Sequence, residues 1–490
     1  MFHIVFNAND NYVKYLSVLI TSIVKNTDSK KKFQAFFEDE NLQTGGGLEK
    51  FKKLDFSEIK DTKEGYVFHI LTSDIKANNA EKLTQLSKRL SEFYPCEILI
   101  HFVDASLFDA AVPPPWIEDN SAFYRFLSCA FLDEGVQTCL YLDVDMIVLF
   151  DVRELFALNL EQNILAAVLD VNFSFHQGRL CRAKKEGLKD ITMKNEYFNS
   201  GFMLINVREF KKQNTEQKCF EFMQDYTYDI GDQEILNAVV WDKVLFLPKR
   251  YNFLLGSLEK NTLFYEDYCI DESEWAHHNL TRAEFNQEKD HIQIAHFTHI
   301  AGTKPWTNVW EILGKNFQIP LCPYRGLWWK IALETPEFEK ELLAIYNAVE
   351  YNALQSYARV LGQKLTVLEE ISPSAVKIVQ NHLCYKIGLE LMKYRGFKDI
   401  FNLCFKLVLI GLKHRKMKKL NKLNKALKKI NGYGNLKLER CLDYEKSKAL
   451  VQSKTYKLGK DFLKHSKKWY KGALVKFAFV KIKAFCKDNK

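Results

Sequence analysis

Two aspartates one residue apart, Asp143 and Asp145, close an apolar run in Leu140-Tyr-Leu-Asp-Val-Asp-Met-Ile-Val148. Alternate side chains of an extended chain point the same way, so a strand here delivers both carboxylates to one face at its end. Two hard oxygen ligands at this spacing suit one Mg2+ or Mn2+, which in turn bridges a diphosphate. An Asp pair at a strand end can also be merely solvated, but the apolar flanks, with Val144 between the two acids, argue against that. Phosphohydrolases with an aspartyl nucleophile also place Asp-x-Asp after an apolar strand. They normally continue with x-Thr or x-Val and need a later Lys and an acidic pair, whereas this chain continues Met146-Ile147 and shows no convincing set.

Three more groups carry usable chemistry. In Tyr197-Phe-Asn-Ser-Gly-Phe-Met-Leu-Ile-Asn206, Gly201 permits close backbone approach and Asn199 can hydrogen-bond sugar hydroxyls, although such a segment also serves as a plain strand-entry turn. Gly231-Asp232-Gln233 reads as a helix start, where Asp232 is a routine N-cap or, functionally, points with Gln233 into a donor cleft. His296-Phe-Thr-His299-Ile-Ala-Gly302-Thr-Lys304-Pro-Trp306 follows an apolar strand, His291 to Ala295, and offers an imidazole ligand, a close-approach glycine and a lysine that neutralises phosphate.

The elements that must position these groups begin with a buried strand, His3 to Ala8, and a helix, Tyr12 to Asn26. Residues 29–65 break the rhythm with a Lys run, an acidic patch and Gly45-Gly46-Gly47, and read as an inserted loop. Strands follow at Tyr66–Thr72 and Glu97–Val103, with an amphipathic helix near 78–92 between them. That alternation argues an α/β sheet with parallel neighbours, whose ligands sit beyond the carboxyl ends of the strands. Further strands are expected at Thr138–Leu142, Ile164–Leu169, Phe202–Ile205 and Val244–Leu247, and beyond about residue 320 the chain reads as helical.

Taken in order, NANDNY, YLDVDMIV, FNSGFMLIN, DQEILN and HF…KPW resemble the family-eight retaining glycosyltransferases, which include the glycogenins and bacterial lipooligosaccharide galactosyl- and glucosyltransferases. The resemblance covers about residues 1–330 apart from the 29–65 insert. It implies a nucleotide-sugar-binding fold of the type called GT-A, a mixed α/β sheet flanked by helices, with Mn2+ and a UDP-sugar donor. Carried over by position, Asp143, Asp145 and His296 would be the metal ligands. Asn7, Ala8, Asn9 and Asn11 would line the uracil and ribose pocket with Tyr12 stacking nearby, Val144 would join Asp143 at the nucleotide, and Gly302 and Lys304 would hold the diphosphate. Arg125 and Asp170 would face the donor sugar, and Asn199, Asp232 and Gln233 would surround the anomeric carbon. Two departures stand out: Asn9 replaces the family's usual Asp, and the interval from His296 to Lys304 is long, which makes His299 an alternative ligand. Retention by double displacement needs a carboxylate beside the anomeric carbon. The matching position holds Gln233, a poor nucleophile, so a front-face path assisted by the leaving UDP is expected, with Asp232 or Asp170 as the alternative nucleophile.

The 490-residue chain carries a net charge of +9 that hides an asymmetry. Residues 401–490 hold 26 Lys+Arg against 5 Asp+Glu, while residues 1–400 hold 44 against 56. We expect a catalytic domain over 1–330, a helical connector over 331–400 and a basic amphipathic tail over 401–490. In the tail Met417, Leu420, Leu423, Leu427 and Ile430 recur at helical spacing among lysines. Such a tail favours an anionic membrane surface. It could instead drive nucleic-acid binding in a protein with no enzymatic activity, but no nucleic-acid module surrounds it, so nucleic acid is not an expected partner. A weak repeat, Tyr385-Lys-Ile-Gly-Leu-Glu-Leu-Met-Lys393 and Tyr456-Lys-Leu-Gly-Lys-Asp-Phe-Leu-Lys464, suggests a duplicated helix pair. The N-terminus lacks signal-peptide features and the eleven cysteines have no framework spacing, so we expect reduced thiols and a cytoplasmic enzyme on the inner face of the membrane, acting on a glycan or glycolipid acceptor.

Overall fold

The computed structural model describes residues 1–38, 47–59, 62–112, 120–170, 178–193, 196–255, 287–288, 290–297, 304–307, 323–371, 374–393, 403, 406–415 and 443–467. His299, Gly302 and the stripe expected from Met417 to Ile430 lie outside these residues. The chain divides into two compact units, Met1–Gln355 and Ser356–Lys490.

The first unit is built on a seven-stranded mixed sheet. In chain order its strands are β1 (Phe2–Asn7), β2 (Tyr66–Thr72), β3 (Cys96–Phe102), β4 (Thr138–Leu142), β6 (Leu165–Leu169), β9 (Phe198–Asn206) and β10 (Val244–Phe246). They lie side by side as β10-β6-β9-β4-β1-β2-β3. All neighbours are parallel except that β9 runs against both β4 and β6. Central strands of such a sheet are covered on both faces, which is why β2, YVFHILT, is buried along its whole length. A second sheet of three short strands joins β5 (Met146–Val148), β11 (Phe253–Leu254) and β12 (Ile294–His296) in the order β11-β12-β5. A two-residue hairpin, β7 (Leu180–Cys181) with β8 (Ile191–Thr192), stands apart.

Helix α1 (Val13–Lys25) is buried almost all round. Its hydroxyls are accommodated because Ser17 and Thr21 donate back to the carbonyls of Val13 and Ser17. The helix also clamps β5: Ser22 Oγ accepts from the Val148 N–H, and Asn26 Nδ2 donates to the Val148 carbonyl. Helix α2 (Ala77–Leu90) turns Leu83, Leu86 and Leu90 inward beside β3, α3 (Thr215–Asp225) packs beside α4 (Asp232–Val240), and α5 (Pro323–Ala332) closes the core with Trp328 and Trp329. The described part of the 29–65 segment packs inward, burying Phe33, Phe36 and Leu48. Arg153, wholly buried, ties it down by pairing with Glu64 at 2.9 Å and Asp151 at 2.6 Å and donating to the carbonyls of Asp28 and Lys31.

In the second unit α6 (Ala375–Gln380) and α7 (Leu383–Met392) face α8 (Tyr444–Gln452) and α9 (Lys454–Ser466). The two halves of the sequence repeat meet reciprocally. A Cβ on Gly388 would collide with the Thr455 carbonyl, and one on Gly459 with the Cys384 carbonyl. Since Cys384 and Gly388 stand 71 residues before Thr455 and Gly459, the duplicated helices pack about a pseudo-two-fold through their glycines.

Candidate active site

The chain crosses from the large sheet to the small one between the end of β4 at Leu142 and the start of β5 at Met146, and Asp143, Val144 and Asp145 are that crossing. Val144 is buried, while Asp143 and Asp145 are half-buried. Antiparallel pairing of β12 with β5 sets His296 opposite Met146, and the Phe297 N–H donates to the Asp145 carbonyl at 2.8 Å. That register brings together three ligand-type side chains remote in sequence. One ligand atom each from Asp143, Asp145 and His296 lie within 4.8 Å of one another. His296 Nε2 is 3.3 Å from Asp145 Oδ1 and 4.0 Å from Asp143 Oδ2.

Gly201 keeps this space open. The register of β6 with β9 shifts between Ala167 and Val168, an irregularity that leaves Ser200 and Gly201 without partners on β6. The Gly201 carbonyl accepts from the Asp143 N–H at 2.8 Å. A Cβ on Gly201 would stand 2.6 Å from Asp143 Oδ2 and 2.7 Å from His296 Cε1. The strand therefore begins earlier than its apolar run suggests, because Phe198 and Asn199 pair with Leu169 and Val168 across the bulge.

Two cations serve the acids. Lys304 Nζ lies 3.3 Å from Asp145 Oδ2. Burial opposes ionisation of Asp145, yet Lys304 and His296 beside it hold the carboxyl well below its ordinary range. Burial likewise works against the charge on Lys304, which Asp145 outweighs, so its ammonium stays protonated beyond the usual range. Arg125 is buried with its guanidinium 3.0 Å from Asp143 Oδ1 and 3.0 Å from Asp232 Oδ2, and it donates to the Ser200 carbonyl and hydroxyl. Tyr141 also donates to Asp143 Oδ1, at 2.9 Å, so that oxygen is occupied by the protein and Oδ2 is the one that faces His296. Burial raises the Asp232 pKa, with Arg125 opposing and Asp143 adding to the rise.

Beside the acids lies a network of amides. Gln233 Oε1 accepts from Asn199 Nδ2 and from the Ser200 N–H, both at 3.1 Å, and its Nε2 donates to Asp170 Oδ2 at 3.2 Å. Asn199 Nδ2 also donates to Asp170 Oδ2, at 3.1 Å. Toward β1 the partners are different. Asn7 Nδ2 donates to the Ser121 carbonyl, the buried Ala8 N–H to the Leu71 carbonyl, and Asn9 Oδ1 accepts from the Tyr12 N–H, while Asn11 is exposed. Tyr12 reaches the rest of the cleft: its ring meets Trp306 edge-on at 6.4 Å, and Lys304 Nζ sits 5.6 Å from its centroid. Trp306 stacks on Tyr15 at 4.0 Å and Trp329 Nε1 donates to the Pro305 carbonyl, so aromatic anchors fix the segment that carries Lys304.

Sequence reasoning missed Tyr141, Ser200 as the bridge between Arg125 and Asp232, and Asn252. Asn252 is buried and joins His296 to Asn199. Tyr141 was readable as the residue two before Asp143, on the same face; Asn252 carried no local signal.

Two carboxylates and one imidazole, with space cleared by a glycine and a lysine alongside, form a donor set that fits Mn2+ or Mg2+. They lie beyond the carboxyl end of a sheet strand, where ligands of such α/β sheets sit. The chain belongs to glycosyl transferase family 8, whose model matches residues 3–309. It is a glycosyltransferase of mixed α/β architecture. Residues 315–489 match a second model, a domain of unknown function (DUF8374). The chain is 27% identical over 281 residues to a lipopolysaccharide 1,2-glucosyltransferase of Escherichia coli, covering 55% of this chain and 78% of that one. It is 24% identical over 234 residues to a lipopolysaccharide 1,3-galactosyltransferase of Salmonella typhimurium, covering 46% and 65%. Among solved structures, the bifunctional glycosyltransferase WbbM in its apo form aligns with a TM-score of 0.47 at 19% identity, over 70% of this chain and 51% of that one.

Proposed function

We propose that the chain transfers galactose or glucose from a UDP-sugar, with retention at the anomeric carbon, to a lipopolysaccharide or related surface glycan. The observation that carries the reading is the convergence of Asp143, Asp145 and His296 with Lys304 on one side and the network of Asn199, Gln233 and Asp170 on the other. The names of the two relatives, a glucosyl- and a galactosyltransferase acting on lipopolysaccharide, support the donor and acceptor classes. Asp143, Asp145 and His296 would hold Mn2+ or Mg2+, which supplies charge neutralisation at the diphosphate when bound.

The residues then divide the work. Lys304 binds the diphosphate beside Asp145 and offsets the charge that grows on it as UDP leaves. Tyr12, with Asn7, Ala8, Asn9, Asn11 and Val144, would receive the nucleoside. Asp170, Asn199 and Gln233 orient the sugar. Asp232 is held by Arg125 and Ser200, which disfavours it as a nucleophile. This arrangement supports a front-face path. The bond from the anomeric carbon to the phosphate oxygen breaks and its electron pair leaves with UDP. The acceptor hydroxyl oxygen bonds to the same face while its proton passes to the departing phosphate oxygen.

The basic tail would hold the enzyme at the anionic cytoplasmic face of the membrane, where a lipid-linked acceptor is found. Among the described residues no helix is long and apolar enough to cross a membrane. A thermal-shift panel of nucleotide sugars with and without Mn2+ tests the donor reading, since a ligand that binds only the folded state raises Tm by mass action. UDP-glucose or UDP-galactose should raise Tm only with the metal. Stabilisation by a purine nucleotide sugar instead would overturn the reading.

A further inference from the structure

We propose that Asn252 is a positioning residue that presents His296 to the metal and couples the metal site to the sugar site. The inference rests on the reading of Asp143, Asp145 and His296 as a divalent-metal centre. Its geometry follows from one backbone group. The Gly201 N–H can only donate, and it meets Asn199 Oδ1 at 3.1 Å, so that atom is the amide oxygen. Asn199 Nδ2 then faces the acceptors Asp170 Oδ2 and Gln233 Oε1, which agrees. The Asn252 atom 2.9 Å from Asn199 Oδ1 must therefore be its NH2, which turns Asn252 Oδ1 toward His296 Nδ1 at 2.8 Å. An amide oxygen accepts only, so Nδ1 carries a hydrogen, and Nε2, which faces Asp143 and Asp145, is the nitrogen that would meet the metal.

The Asn252–His296 bond is buried, with Asn252 3% and His296 4% exposed, so water does not compete for it. Asn252 ends a short 3-10 turn, Lys249–Asn252, and leads directly into β11, which pairs with β12 beside His296. Fixing the ring through its distal nitrogen is how a metal-bound imidazole is oriented, and loss of such a partner lowers metal affinity by roughly 10–100-fold. The same side chain holds Asn199 and through it Asp170 and Gln233, so a disturbance at the sugar reaches the metal ligand by an unbroken chain of hydrogen bonds.

The test uses the full chain and Mn2+ alone, with bound and free Mn2+ followed by electron paramagnetic resonance. Asn252→Ala removes both bonds and should weaken Mn2+ binding by about 10–100-fold. Asn252→Asp keeps an acceptor for Nδ1–H but cannot donate to Asn199, so it should bind Mn2+ within about threefold of the wild type while kcat falls about tenfold or more. Should the Ala variant not fold, Asn252→Ser, too short to reach the ring, takes its place with the same expectation. Wild-type affinity in the Ala or Ser variant, or equal loss in the Asp variant, overturns the assignment. Absence of Mn2+ binding by the wild type would overturn the metal reading itself and this inference with it.

Discussion

At Gly201 a single missing methyl group keeps the centre open, and its replacement is a sharp test of the site. Gly201→Ala would set its Cβ against Asp143 Oδ2 and His296 Cε1, with the Asn199 Oδ1 contact at 3.0 Å closing the third side. We expect the variant to fold and to lose Mn2+ binding by at least tenfold, read by the same resonance titration; unchanged binding would mean that the metal lies elsewhere. Gln233→Ala should cut turnover sharply while UDP affinity stays nearly unchanged, because the amide orients the sugar and does not hold the nucleotide. Mass spectrometry that trapped a sugar on Asp170 or Asp232 would replace the front-face path with double displacement. Asp143, Asp145, Gln233 and His296 were legible because each stands at the end of an apolar run or a helix start. Asn252 was not: its partners Asn199 and His296 lie 53 and 44 residues away, and only the fold makes them neighbours.

Among the elements, the parallel strands of the large sheet were readable to within about a residue, since they show as apolar runs, whereas antiparallel β9 begins four residues before its expected Phe202 because of its bulge. Of the small sheet only β12 was read, as His291–Ala295 against the observed Ile294–His296; β5 and β11 span only three and two residues and the pairing of all three is wholly non-local. Across β1, β2 and β3 runs a feature that periodicity also conceals. His3 Nδ1 meets His69 Nε2 at 2.9 Å, and His69 Nδ1 meets His101 Nε2 at 2.9 Å. Neighbouring rings cannot both be charged without opposing N–H groups. Burial, and then the Met1 ammonium, pushes His3 down to about 4, with Asp133 opposing; burial, then the flanking rings, pushes His69 down to about 3, and burial lowers His101. The unfolded chain, with histidines near their ordinary value of about 6.5, takes up these protons first. Stability is thus fully present above that pH and falls as pH drops toward 4, by up to about 1.4 kcal/mol per pH unit at the buried His69 and by less at the half-exposed His3 and His101, which water screens. Urea midpoints between pH 7 and 4.5 should fall less steeply in His69→Gln than in the wild type, and parallel slopes would exonerate the ladder. Arg153 serves a different end. Arg153→Ala leaves Glu64 and Asp151 unpaired beneath the insert and should cost about 3–5 kcal/mol in urea unfolding. A loss below 1 kcal/mol would show that the insert is held by Phe33, Phe36 and Leu48 alone.

For the whole molecule, charge separates the two ends of the chain: 26 Lys+Arg against 5 Asp+Glu after residue 400, and an acidic balance before it. Headgroups of anionic lipids attract such clusters by about 1 kcal/mol per nearby basic residue, and the attraction is screened by salt. The protein should therefore co-sediment with phosphatidylserine-containing vesicles at low salt and leave them at high salt. Indifference to those vesicles at low salt would make the tail a packing element. The duplicated helices of the second unit were legible as a repeat, but their reciprocal glycine contact was not, since sequence similarity does not say that two copies face each other. The central claim is that Asp143 and Asp145 hold a metal needed to move sugar from a nucleotide donor, and UDP release from UDP-glucose and UDP-galactose measures it most directly. The wild type should stop in chelator and resume with Mn2+, and Asp143→Asn and Asp145→Asn, folded like the wild type, should stay inactive with the metal restored. Full turnover by the double variant in chelator would contradict the account.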